Sequence, residues 1–214
     1  MRRIILARHG QTAWNREEVF RGTADIPLND FGKEQARALG KKIESLQFKN
    51  PLIISSPLER ARETAERCSE AVKGRQALVN QGFTDINFGD WQGKSKAEVQ
   101  QVQPELYRQW LADPASVAFP GGETLEKTAN RAWETLNQLV SKHRVHDLVI
   151  VSHRVVNKAI LCLLLGAGLQ AFWKIKQDTA CLNILEYDGR TFMIRTLNDT
   201  CHLQPLAQGD AADF

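Results

Sequence analysis

The chain has 214 residues, 43% of them hydrophobic and 25% charged, with 28 Lys and Arg against 25 Asp and Glu for a formal charge of +3. That length suits one large α/β domain with a substantial core. The near-balanced charge, with no long basic run, argues against a nucleic-acid binder, and no stretch approaches the length of a membrane span. Four scattered cysteines (Cys68, Cys162, Cys181 and Cys201), with no CxxC spacing, point to a reducing, cytoplasmic compartment and to neither a zinc site nor a disulfide framework.

Met1-Arg2-Arg3 followed by four apolar residues is too short for a signal peptide. Residues 3–8 instead read as a buried strand covered on both faces. Residues 10–30 form a polar loop, and Asp30 is a candidate N-cap for a helix over about 31–46, where Ala36, Leu39, Ile43 and Leu46 recur at helical spacing. Pro51 opens a second strand, Leu52-Ile53-Ile54. Pro57 suits the first turn of the next helix, which carries Leu58, Ala61, Ala65 and Cys68 on one face. Residues 82–93, rich in Gly and aromatics, read as a shaped loop. Short helices over about 95–102 and 104–112 follow, separated by Pro104, and Pro120-Gly121-Gly122 makes a turn. A long amphipathic helix covers Glu123–His143, then a strand at 147–152 and a helix at 154–165. Strands over 180–187 and 191–197 flank Asp188-Gly189, a hairpin signal. The expectation is one domain over 1–214, with the region from 82 to 122 inserted over the active edge.

Three strand ends carry the chemistry. The first strand runs into Arg8-His9-Gly10, the second into Ser55-Ser56-Pro57 and then Arg60, and the third into Ser152-His153. Open α/β sheets bind ligands outside the carboxyl ends of their strands. Two histidines and two arginines converging there suit a phosphate, which arginine forks bind bidentately, and the helix N-termini at Arg60 and after His153 would add N–H donors. There is no P-loop, no aspartate cluster with magnesium spacing, no GxSxG elbow and no cysteine in a phosphate-cradling loop. A histidine flanked by arginine can itself be the nucleophile, since nearby positive charge keeps the imidazole unprotonated.

The motifs Arg8-His9-Gly10-Gln11-Thr12-Ala13-Trp14-Asn15, Gly22-Thr23-Ala24-Asp25-Ile26-Pro27-Leu28, Ser55-Ser56-Pro57-Leu58-Glu59-Arg60-Ala61, Asn87-Phe88-Gly89-Asp90-Trp91-Gln92-Gly93, Pro120-Gly121-Gly122-Glu123-Thr124 and Val151-Ser152-His153 occur in this order. Together they resemble the histidine phosphatase, or phosphoglycerate-mutase-like, superfamily over nearly the whole chain. The resemblance implies a three-layer αβα sandwich with a mostly parallel sheet. It implies that His9 is the nucleophile, that Arg8, Arg60 and a protonated His153 hold the phosphoryl oxygens, and that Asn15 orients the site and contacts phosphate. Gln11, Arg21 and Gly22 match positions near the substrate mouth. The implied reaction is metal-independent hydrolysis of a small phosphorylated metabolite through a phosphohistidine, with no cofactor. Related enzymes often form homodimers.

Two positions depart from the family pattern. Asp85 stands where the family usually has the Glu that protonates the leaving oxygen; the carboxyl group is kept, one methylene shorter. Arg154 follows His153 where Gly or Thr is common, so its side chain is either an extra substrate contact or a surface group. A phosphoglycerate mutase would resemble a longer chain with extra lid segments, and a non-catalytic protein on this fold would not need the complete pocket. The tail through Leu197–Leu203 resembles the metal-independent phosphoserine and α-ribazole phosphatases, and in the phosphoserine enzymes the segment matching His202 lies at the substrate mouth. Those enzymes also have a histidine at the position of Phe88, so phosphoserine is not expected to be strongly preferred here. Among the remaining candidates, His143 and His146 suit a helix C-terminus, Trp91, Trp110 and Trp173 suit packing, and Cys162 suits the core.

Overall fold

A computed structural model describes residues 1–206 except Lys49 and Arg75. Strand β1 (Arg2–Arg8) is buried from Ile4 onward because neither face meets water. Its alternating side chains feed two separate cores: Ile4 and Leu6 enter one, Ile5 and Ala7 the other. A short helix α1 (Ala13–Arg16) lies inside the segment expected to be loop. Helix α2 (Asp30–Ser45) is capped by Asn29, whose side chain accepts the Gly32 N–H, so the cap falls one residue before the expected Asp30. Strand β2 (Leu52–Ser55) leads to α3 (Glu59–Ala71), which starts after Pro57 because Leu58 is still extended. Asp25, far away in sequence, accepts the Glu59 N–H at 2.6 Å and completes that N-terminus.

Strand β3 (Leu78–Val79), helices α4 (Lys96–Val102), α5 (Pro104–Ala112) and α6 (Leu125–Lys142), strand β4 (Leu148–Ser152), helix α7 (Arg154–Leu164) and strands β5 (Leu182–Tyr187) and β6 (Phe192–Asp199) complete the regular elements. The sheet order is β3-β2-β4-β1-β5-β6. The first four strands are parallel, β5 runs antiparallel to β1, and β6 runs antiparallel to β5. Helices α2 and α3 cover one face through Leu39, Ile43, Ala61, Ala65 and Cys68. Helices α6 and α7 cover the other through Leu125, Ala129, Leu136, Val156 and Ile160. The sheet is therefore the middle of three layers, as the resemblance implies.

The region from 82 to 122 is built on an aromatic knot. Phe88 packs edge-on against Phe20, Trp110 and Phe119, and Trp91 against Phe20 and Phe119, with ring centroids 4.9–6.0 Å apart. Two 3-10 turns, Gln81–Phe83 and Gly89–Trp91, shape the stretch expected to be loop. Trp91, Trp110 and Cys162 are buried as packing residues, and His143 is the C-cap of α6. No helix among the described residues is long and apolar enough to cross a membrane.

Candidate active site

Strands β1, β2 and β4 end side by side because their registers are matched. Arg8 lies opposite Ser152, and Ser55 opposite Val151. Backbone hydrogen bonds continue past the strand ends, from His9 N–H to Ser152 (3.0 Å), from Ser56 N–H to Val151 (3.0 Å) and from Ala180 N–H to His9 (3.0 Å). The three junctions read from the sequence thus meet at one edge. Gly10 is required there for close approach: a Cβ on it would lie 2.4 Å from the Gly32 carbonyl oxygen.

His9 is 1% exposed, and its Nδ1 donates to the Gly10 carbonyl at 2.6 Å. A proton on Nδ1 leaves the Nε2 lone pair available. Burial, then the charges of Arg60, Arg8 and Arg21, hold the His9 pKa well below the ordinary 6.5. The ring of His153 lies 5.2 Å from that of His9, and its Nε2 meets the Ser56 hydroxyl at 2.7 Å. Burial, followed by Arg60 and His9, also lowers the His153 pKa well below 6.5. That direction opposes the protonated His153 implied by the resemblance, while the Asp85 carboxylate 3.7 Å from Nδ1 and a bound phosphate would each favour the charged form.

Arg60 is fully buried. Its Nη1 donates to Ala24 and its Nη2 to Gly22, both at 2.8 Å, and Nη2 reaches Asp85 Oδ2 at 3.3 Å. Its Nε has no hydrogen-bond partner. Gly22, expected to touch substrate, turns its carbonyl to Arg60 while also lining the cleft shared by Arg21, Asp85, Phe88 and Arg154. Arg21 is buried with Nε and Nη1 unpartnered, and burial followed by Arg8 and Arg60 lowers its pKa well below the ordinary value. Arg8 donates to the Gln177 carbonyl at 2.5 Å.

Asp85 is the carboxylate at this edge, with Oδ2 3.7 Å from His153 Nδ1 as well as 3.3 Å from Arg60. It is held by a clamp that sequence reasoning missed. Arg131 on α6 donates to the carbonyls of Gly82 and Asp85, both at 3.0 Å, and pairs with Glu123 at 3.1 Å. Glu123 in turn accepts the Asn87 N–H at 3.0 Å. The Pro120-Gly121-Gly122-Glu123-Thr124 motif was the available signal for Glu123; Arg131 sits on an amphipathic helix where any exposed charge looks alike.

The remaining candidates are placed less uniformly. Asn15 is buried, but its Oδ1 accepts from the Thr12 backbone and hydroxyl, both at 2.9 Å, so that oxygen shapes the loop. The Gln11 side-chain oxygen accepts from Asn29. Arg154 is 7% exposed, which removes the surface alternative. His202 bonds the Ala180 carbonyl at 3.1 Å, one residue's link from the His9 carbonyl, with its Nδ1 unpartnered. Among the described residues, no group of three or more His, Cys, Asp or Glu could hold a metal ion.

A neutral imidazole surrounded by guanidinium groups can attack an electrophilic phosphorus whose oxygens those groups hold. The same burial predicts an acid-sensitive fold. Unfolding below pH 6.5 releases two imidazoles that then take up protons, so the unfolded state binds more protons than the folded one. The stabilisation is fully present above about pH 6.5 and is lost as pH falls toward the lowered folded values. The urea midpoint should drop between about pH 7.5 and pH 5.5. A double variant, His9→Asn/His153→Asn, should flatten that drop; a midpoint independent of pH in the native protein would contradict the neutral-imidazole assignment.

The histidine phosphatase superfamily (branch 1) model matches residues 4–200. Phosphoserine phosphatase 1 of Hydrogenobacter thermophilus is 34% identical over 203 residues, 95% of each chain. The adenosylcobalamin/α-ribazole phosphatase of Escherichia coli is 28% identical, with 92% of this chain and 95% of that one aligned. A mycobacterial glucosyl-3-phosphoglycerate phosphatase solved with VO3 superposes with a TM-score of 0.84 at 27% identity, over 94% of this chain and 100% of that one.

Proposed function

This chain belongs to branch 1 of the histidine phosphatase superfamily and is a phosphoric monoester hydrolase, and we propose that it works without a metal through a phosphohistidine on His9. The observation that carries this reading is the Nδ1 contact of His9 to Gly10, which leaves Nε2 as a nucleophile among Arg8, Arg21 and Arg60. In this reading Nε2 attacks phosphorus in line with the leaving oxygen. A P–N bond forms and the P–O bond breaks, while Asp85, which enters this step as the carboxylic acid, gives its proton to the leaving oxygen. Water then attacks the phosphohistidine and passes a proton to Asp85, and the P–N bond breaks to release phosphate and restore His9. Arg8, Arg21 and Arg60 hold the transferring oxygens, and His153 shares that task through its place between Ser56 and Asp85.

The substrate is a small phosphorylated metabolite. Phosphoserine is not the preferred one in this reading, because Phe88 is locked in the aromatic knot and offers no hydrogen bond to an amino acid. Hydrolysis of para-nitrophenyl phosphate in EDTA tests the proposal, with phosphoserine and several sugar phosphates run beside it. EDTA-resistant turnover without a large phosphoserine preference is expected. Turnover lost with EDTA would defeat the metal-independent reading, and a large phosphoserine preference would defeat the substrate reading.

A further inference from the structure

The main-chain groups from His9 through Gln11 are all engaged. His9 donates its N–H to Ser152, and its carbonyl accepts from Ala180, both at 3.0 Å. The Gly10 N–H donates to the Thr64 hydroxyl on α3 at 3.1 Å, and the Gln11 N–H donates to Gln35 Oε1 on α2 at 2.8 Å. The Gln11 carbonyl accepts from Asn29 at 3.0 Å. Neither the Gly10 nor the Gln11 N–H is left to face a phosphate, so this loop is not an anion cradle. Its amides serve another purpose.

Both side chains come from helix faces that pack on the sheet. Among the buried residues of α2, Gln35 alone has a polar side chain. It is 4% exposed, between Gly32 and Leu39 on the same face. A buried amide is costly unless both of its ends are bonded. Here Oε1 takes the Gln11 N–H, and Nε2 donates to the Thr179 hydroxyl at 3.0 Å. Thr179 precedes Ala180, whose N–H holds the His9 carbonyl. Gln35 thus ties together the two segments on either side of the His9 main chain.

The C=O and N–H of a trans peptide point in opposite directions. In the Gly10–Gln11 peptide the C=O meets His9 Nδ1 at 2.6 Å, while the N–H meets Gln35 on the other side. Gly10 has no Cβ and by itself resists rotation of this plane weakly. Turned over, the plane would present an N–H to His9 Nδ1. An N–H only donates, so the imidazole would accept at Nδ1 and carry its proton on Nε2. The nitrogen that must attack would then have no lone pair.

We infer that Gln35 is a positioning residue that fixes the His9 tautomer: from α2 it holds the Gly10–Gln11 peptide with its carbonyl on Nδ1. Thr64 steadies the preceding peptide from α3. The consequence for catalysis rests on His9 being the nucleophile; the consequence for the tautomer does not.

Nitrogen NMR of protein isotopically labelled at histidine distinguishes the two neutral tautomers, and comparison with H9A identifies the His9 signals. The native protein should show His9 protonated on Nδ1. In Q35M, which keeps the length and loses both hydrogen bonds, the Nε2–H form should become populated. On para-nitrophenyl phosphate the same variant should lose about tenfold to 10²-fold in kcat, with KM within about threefold of the native value. Q35E, which keeps an acceptor for the Gln11 N–H, should restore the Nδ1–H form, and Q35A takes the place of Q35M if that variant does not fold. A native His9 protonated on Nε2, a native-like His9 spectrum in Q35M, or a failure of Q35E to restore that spectrum would overturn the inference. An altered tautomer in Q35M with kcat within about threefold of native would count against His9 as the nucleophile and leave the positioning by Gln35 supported.

Discussion

Replacing His9 with alanine should lower kcat on para-nitrophenyl phosphate by more than about 10⁴-fold. The size follows from what His9 would do: without an attacking nitrogen, the arginines can bind phosphate but no covalent intermediate can form. The fold should survive, because the buried ring makes its side-chain hydrogen bond to the adjacent Gly10 carbonyl and not to a distant element. A urea midpoint at pH 7.5 and circular dichroism would separate lost chemistry from lost structure. A decrease of less than about tenfold would mean that water attacks phosphorus directly and that His9 only positions the substrate.

The second large effect depends on the leaving group. Asp85→Ala should cut kcat on an alkyl phosphate such as glycerol 3-phosphate by about 10²–10⁴-fold. An alkoxide needs a proton as it departs, whereas para-nitrophenolate leaves as a stabilised anion. On para-nitrophenyl phosphate the variant should therefore still release one equivalent of nitrophenolate in a rapid burst, followed by slow turnover, because in the proposed mechanism Asp85 would also be the base for water in the second half. Equal loss on both substrates with no burst would remove the acid–base role and leave Asp85 as a partner of Arg60. Asp85→Ala also strips Arg60 of a charge partner, so the burst amplitude on the aryl ester is the cleaner reading.

Much of this site was legible because its parts are local. Arg8-His9-Gly10, Arg60 and His153 each follow a short apolar strand, and matched register brings the strand ends together. What escaped was set by distant partners. Asp25 completes the α3 N-terminus from 34 residues away, so the helix start could not be read from Pro57 and Leu58. Strand β3 has two half-exposed residues and no alternation to detect. The Glu123–Arg131 clamp and the buried Asn157 and Lys158 look like ordinary amphipathic-helix residues until the packing shows what surrounds them. Arg154 was visible as a departure from the family pattern, but its burial against Trp173 was not.

The 2.6 Å contact between His9 Nδ1 and the Gly10 carbonyl also makes a regiochemical choice. Imidazole offers two nitrogens and hence two phosphoryl isomers. A main-chain oxygen from the next residue engages the pros nitrogen, so the intermediate of the proposed mechanism would be the tele isomer. Because the backbone makes that selection, side-chain variation around the cleft can retune which metabolite enters while the same nitrogen continues to receive the phosphoryl group.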